Sequence, residues 1–220
     1  MNLAVVVSLT SWAARINNVS RTIVSLYKNT IKPRSIELNL SEEEFPNKEK
    51  DLPEDLLLLA SENLVNINWV GKNTKSFKKI IPTLKKYWNE KDLYLFSADD
   101  DVIYPKDVLE KFIALEQKHP NCCICFDRCR GTLGKQPVVR GGATLYKIGY
   151  FTEMVWKELT EEIIKTNEDD WWYAYCFLKA GTRACCFCGL QLNFFNQIGK
   201  HAYNTLKTKS LLLRLLKSKK

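Results

Sequence analysis

Short apolar runs alternate with amphipathic stretches through the first half of the chain, and that alternation predicts the order of its elements. The run at 3–7 (Leu-Ala-Val-Val-Val) predicts a first strand. Behind the cap candidates Asn17 and Asn18, Val19, Ile23, Leu26 and Tyr27 recur at helical spacing, giving a helix that stops before Pro33. Segments 35–40, 64–70 and 93–98 read as further strands. Helices lie between them at 54–61 and 76–87, and Pro82 disturbs the start of the second. Strands and helices in this alternation form α/β units around a mostly parallel central sheet flanked by helices.

The second half is less regular. Periodicity gives a helix over 105–119, closed by Pro120, and then the pattern changes to short strands over 122–146, with Gly131-Thr132 and Gly141-Gly142 as turn signals. A helix is expected at 159–165 and another at 169–179, which ends at Gly181, the position where glycine most often stops a helix. Segment 183–188 reads as a late strand. We expect one domain over 1–203 and a basic, leucine-rich helix over 204–220, where Leu211, Leu212, Leu213, Leu215 and Leu216 precede Lys217, Lys219 and Lys220. Such a tail suits either an interfacial anchor on anionic lipid or a terminal helix docked on the domain.

Composition narrows the class. At 220 residues, 45% of them hydrophobic and 11% aromatic, the chain can bury one good core. Its net charge of +8 suits anionic partners, which include nucleotide phosphates, nucleic acid and acidic membrane. Six Trp and nine Tyr also suit sugar or base sites. The eight cysteines contain no CxxC pair. They read as small hydrophobes in strands and point to free thiols in a reducing compartment. The first residues lack the basic region of a signal peptide, and no stretch has transmembrane length. The expected location is the cytoplasm, free or peripheral on the inner membrane face.

Two acidic clusters carry the chemistry. Asp99-Asp100-Asp101 follows the apolar run 93–98 directly and precedes Val102-Ile103-Tyr104-Pro105, so three carboxylates sit at the mouth of a buried strand. Adjacent anions there call for water, a cation or hydrogen-bond donors, and a hard divalent cation with a substrate diphosphate meets the need. The alternative is a solvated loop that caps the next helix. The second cluster, Glu168-Asp169-Asp170, opens the 169–179 helix beside Trp171 and Trp172. Thr166 with Asp169 fits a Ser/Thr-x-x-Asp/Glu cap. Three acids exceed what one cap needs, and a carboxylate partly desolvated by indole suits a general base. Helical spacing places Asp169 on a stripe with Trp172, Tyr173 and Cys176, away from Asp170, which makes Asp169 the better base.

The segments Val7-Ser8-Leu9-Thr10-Ser11-Trp12, continued by Arg15 and Ile16, Asp99 to Pro105, and Glu168-Asp169-Asp170-Trp171-Trp172 resemble bacterial glycosyltransferases of the GT-A fold. The likeness is to the small sugar transferases of cell-surface polysaccharide and lipooligosaccharide synthesis, and it extends to about residue 187. It implies a Rossmann-related single domain. Asp99 and Asp101 then form the DxD pair, with Asp101 on Mn²⁺ or Mg²⁺, Asp99 on ribose or metal, and Asp100 beside them at the donor or serving the loop. Ser8, Thr10 and Arg15 would meet the nucleotide. Asp169, next to Asp170, would be the catalytic base of an inverting reaction. Gly141 and Gly142 would let backbone approach a sugar, with a plain hairpin turn as the alternative, and Lys78 and Lys79 would neutralise phosphate unless they lie on a solvated helix face. His201 would add a metal ligand unless it is a surface histidine.

The implied partners are a nucleotide-sugar, a UDP-sugar favoured, and a glycan or lipid-linked acceptor. Anionic membrane would be met through the tail, and no nucleic acid is expected. Two rivals are a nucleotidyltransferase making activated sugars, for which the N-terminal segment lacks a Gly-rich triphosphate loop, and a non-catalytic basic module for membrane or nucleic acid whose acids only cap helices.

Overall fold

The computed structural model describes residues 4–126, 131–138, 142–186 and 193–194. Strand β1 (Val5–Thr10) is followed by α1 (Val19–Tyr27), β2 (Ser35–Ser41), α2 (Glu54–Ser61), β3 (Asn66–Val70), α3 (Ile81–Lys86) and β4 (Tyr94–Ala98). Then come β5 (Val102–Ile103), α4 (Val108–Lys118), β6 (Cys122–Cys125), β7 (Thr132–Leu133), β8 (Gln136–Pro137) and β9 (Thr144–Lys147). Helices α5 (Met154–Lys157), α6 (Glu161–Thr166) and α7 (Asp169–Ala180) and strands β10 (Arg183–Cys186) and β11 (Asn193–Phe194) complete the order.

Seven strands form the central sheet in the order β10-β6-β9-β4-β1-β2-β3. The pairs β1–β2, β1–β4, β2–β3 and β6–β10 are parallel, whereas β9 runs antiparallel to β4 and to β6. Chain alternation sorts the core: Val5, Val7 and Leu9 of β1 join the layer under α1, α2 and α4, while Val6 faces the layer of α3 and α7. A slip of one residue would exchange the two sets, so burial on both faces fixes the register.

The mixed α/β arrangement matches the sequence expectation, with local corrections. Strand β1 begins at Val5 and extends to Thr10, because its last residues still pair with Leu38 and Asn39 of β2. The helix expected at 76–87 splits into a 3₁₀ turn, Lys75–Lys79, and α3, which takes Pro82 in its first turn where a missing N–H costs nothing. Helix α4 starts at Val108, past Pro105, and α5 was not foreseen. Gly181 terminates α7 with φ of 73°, in the left-handed conformation glycine adopts freely. Cys122, Cys123, Cys125 and Cys176 are free and buried. No described helix is long and apolar enough to cross a membrane. The tail at 204–220 lies outside the described residues.

Candidate functional site

The connections β1 to β2 to β3 build one side of β1, and the chain then crosses to place β4 on the other side. The strand order therefore reverses between β1 and β4, and in open α/β sheets ligands bind outside the carboxyl ends of strands at such a reversal. A cleft of about 240 Å³ opens at this point. The residues after β1 (Ser11, Trp12, Arg15) and after β4 (Asp99, Asp100) form two of its walls, and Lys75, Lys78, Lys79 and Asn167 form a third.

The acidic loop is fixed from several sides. The Thr22 hydroxyl of α1 lies 3.0 Å from the Asp100 carbonyl oxygen and 2.9 Å from that of Val102. Asp100 receives the Ser11 hydroxyl at 2.6 Å on one oxygen and Arg15 Nη1 at 2.9 Å on the other. The same Nη1 lies 3.0 Å from Asp101 Oδ2. Asp100, expected at the donor, thus faces the cleft with both oxygens engaged by protein and serves the loop's shape. Tyr104, to which the sequence assigns no role, is 3% exposed and accepts the Asp99 N–H at 2.9 Å on its phenol oxygen. Gly142 packs directly behind Asp99: a Cβ there would sit 1.8 Å from Asp99 Oδ2. The close backbone approach foreseen for this glycine is therefore to a carboxylate. Gly141 and His201 lie outside the described residues.

The two acidic clusters meet at Lys79. Its Nζ donates to Asp99 Oδ1 at 2.6 Å. Burial by itself would lower the Lys79 pKa, but the fields of Asp99, Asp169 and Asp170 hold it well above the usual lysine value, which requires both clusters close by. Ser8 was expected to meet nucleotide. It is fully buried, and its hydroxyl bonds the Lys79 carbonyl and the Thr83 hydroxyl, so it anchors Lys79 from beneath. Thr10 does line the cleft, its hydroxyl donating to the Asn39 carbonyl at 2.6 Å. Lys78 also reaches the cleft, paired with Glu44 and donating to Asn73 Oδ1 at 2.7 Å, and burial lowers its pKa. Neither lysine lies on a solvated helix face.

At the start of α7 the capping explanation fails. The Thr166 hydroxyl donates back to Ile163 O at 2.6 Å, and Glu168, the capping residue just before α7, makes no side-chain capping hydrogen bond. Glu168, Asp169 and Asp170 are all buried, and Asp169 Oδ2 has no hydrogen-bond partner among the described residues. Such an atom costs free energy unless a ligand satisfies it. Asn167, at φ of 55°, accepts the Ser76 N–H at 3.2 Å and so joins this corner to the lysine turn.

The donor set suits a hard cation. Asp101 is pushed up to about 6 by burial and by Asp99, with Asp100 adding to the rise, so the counter-charge that Arg15 supplies at 3.0 Å does not offset them. No group of three His, Cys, Asp or Glu among the described residues forms a metal cage. One or two carboxylates completed by water and phosphate is the arrangement Mg²⁺ and Mn²⁺ use.

No family model and no curated protein matches the chain. Solved structures do. The mannosyltransferase PcManGT from Pyrobaculum calidifontis, in complex with GDP-Man and Mn²⁺, aligns with a TM-score of 0.60 at 12% identity over 97% of this chain and 63% of that one. S. aureus TarS 1-349 in complex with UDP-GlcNAc aligns at 0.59 and 16% over 97% and 65%, and with UDP at 0.54 and 14% over 86% and 59%. The chain spans less than two thirds of the length of each. The likeness establishes the fold as GT-A-like α/β.

Proposed function

We propose that the chain is a glycosyltransferase that moves a sugar from a nucleotide-sugar, a UDP-sugar favoured, to a hydroxyl of a glycan or lipid-linked acceptor. The observation that carries this reading is the Asp99–Lys79 pair at 2.6 Å in a cleft at the reversal of strand order, with a buried carboxylate oxygen of Asp169 that has no partner among the described residues and lies within the electrostatic reach of Lys79. The GDP-Man, UDP and UDP-GlcNAc bound to structures of like fold support a nucleotide-sugar as donor. A role in cell-surface polysaccharide or lipooligosaccharide synthesis, at the cytoplasmic face of the membrane, belongs to the same reading.

In the reaction, the acceptor oxygen forms a bond to the anomeric carbon as the bond from that carbon to the diphosphate breaks. Asp169 accepts the acceptor's proton, and direct displacement inverts the anomeric centre. Asp170 shapes the field around that carboxylate. Arg15, Lys78 and Lys79 stand in the cleft where negative charge grows on the departing diphosphate, and fixed cations at such a point favour the transition state over the ground state. Thr10 and Trp12 border the cleft and would meet the nucleoside. When bound, Mg²⁺ or Mn²⁺ held by Asp101 with the help of Asp99 would supply further neutralisation of the diphosphate.

A thermal-shift screen of nucleotide-sugars with and without Mn²⁺ tests the proposal. At about a hundredfold excess over its Kd, the true donor should raise the melting temperature by roughly 5–10 °C, more with Mn²⁺ than without. No metal-dependent shift with any donor would sink it.

A further inference from the structure

Each carboxylate of the acidic loop is held by a cation that also borders the cleft: Lys79 Nζ lies 2.6 Å from Asp99, and Arg15 Nη1 lies 2.9 Å from Asp100 and 3.0 Å from Asp101. The Asp99–Lys79 pair is confined on both sides. The Lys79 side chain is 11% exposed, and its backbone carbonyl takes the Ser8 hydroxyl and, at 3.4 Å, the Asn39 amide. Behind Asp99 stands the Gly142 backbone, with no room for even a methyl group, and the Asp99 N–H is fixed by Tyr104. Core strands β1 and β2 thus aim this ammonium at this carboxylate.

We infer that the Lys79 ammonium occupies the position on Asp99 that a divalent cation would otherwise take, so that the apoprotein does not engage metal through Asp99 and gains that ligand only when a diphosphate draws Lys79 away. A dication and an ammonium cannot share one carboxylate oxygen at contact distance without strong repulsion. A diphosphate changes the balance. It offers several anionic oxygens beside Lys79, Lys78 and Arg15, and a lysine ammonium with three donors can turn to them while its backbone stays clamped. Metal and diphosphate then bind with positive coupling, and the coupling is reciprocal. This second half rests on the proposed function, whereas the occupation of Asp99 does not.

The test uses the full chain without nucleotide and Mn²⁺ alone, with free Mn²⁺ followed by electron paramagnetic resonance. Lys79→Met removes the charge and keeps the length of the chain. It should bind Mn²⁺ at least about tenfold more tightly than wild type, while Lys79→Arg stays near wild type. Independently, Asp99→Asn should leave the apoprotein's Mn²⁺ affinity unchanged, because Asp99 does not ligate in that state. A folded Lys79→Met protein that binds Mn²⁺ no better than wild type would overturn the inference. Loss of apoprotein Mn²⁺ affinity in Asp99→Asn would overturn it equally, even if Lys79→Met fails to fold. Both readouts stand apart from sugar transfer, so failure to bind any nucleotide-sugar would defeat the proposed function and leave the Asp99–Lys79 result intact.

Discussion

Asp169 is buried at the first turn of a helix with one carboxylate oxygen lacking a partner among the described residues, close enough to Lys79 to share its field. That free oxygen can accept a hydrogen bond from an acceptor hydroxyl, as the proposed base role requires. Replacing the aspartate with asparagine keeps shape and volume and removes only proton acceptance, so Asp169→Asn should lower kcat by about 10²–10⁴-fold with little change in the donor Kd. Steady-state kinetics with the donor found by thermal shift checks this, and a kcat near wild type would remove Asp169 from the role. At this scale the sequence was informative wherever unlike residues stand side by side. Acids at the end of an apolar run, and acids beside tryptophan, announce themselves. It was silent where a residue matters through a distant partner: Ser8 under Lys79, Tyr104 behind Asp99 and Thr22 on the loop carbonyls are separated from their partners by many residues, and an isolated hydroxyl in a hydrophobic segment carries no local signal.

Among the elements, the turn carrying Lys78 and Lys79 is held by a buried polar network. Glu37 of β2, fully enclosed, accepts from Lys86 at 2.8 Å and from Tyr87 at 2.7 Å at the end of α3, and from Asn66 and Asn68 of β3 at 3.1 and 2.8 Å. Burial alone would raise its pKa. The bonds from Lys86, Asn68, Tyr87 and Ser35 outweigh that and bring it from the usual 4.5 down to about 2. Because the folded value lies below the unfolded one, the contribution is fully present above pH 4.5 and is lost as pH falls towards 2. Across that window the group accounts for about 3 kcal/mol of stability. Urea unfolding at stepped pH should show this decline in wild type and a shallower one in Glu37→Gln, and equal acid slopes would contradict it. Strand 93–98 was readable because burial on both faces leaves a nearly unbroken apolar run, and strands 35–40 and 64–70 because apolar and polar residues alternate along them. The division of 76–87 was not, since Pro82 and the close-packed Phe77 fix it through tertiary contacts that periodicity does not record.

For the whole molecule, the decisive feature is the strand order, which no local pattern contains. Alternating elements imply a parallel sheet, but the reversal between β1 and β4 and the antiparallel β9 inserted beside β4 emerge only from the assembled fold. That arrangement brings the ends of β1 and β4 together with the lysine turn and Asn167 around one cleft, and sets the second acidic cluster, nearly seventy residues further along the chain, within the electrostatic reach of Lys79 at its edge. A larger groove of about 610 Å³ lies against the outer side of α1, bordered by Leu58, Val24 and Ile103 and by Arg21, Lys28 and Lys106, but with Asp55 as its one acid it has no acidic cluster to set beside those cations. The most direct measurement is therefore a crystal structure of the protein soaked with UDP or GDP and Mn²⁺. The account predicts a diphosphate in the cleft between Trp12 and Asp99, with its oxygens on Lys79 and Arg15. Nucleotide bound only in the α1 groove, or in neither place at concentrations that saturate the thermal shift, would contradict it.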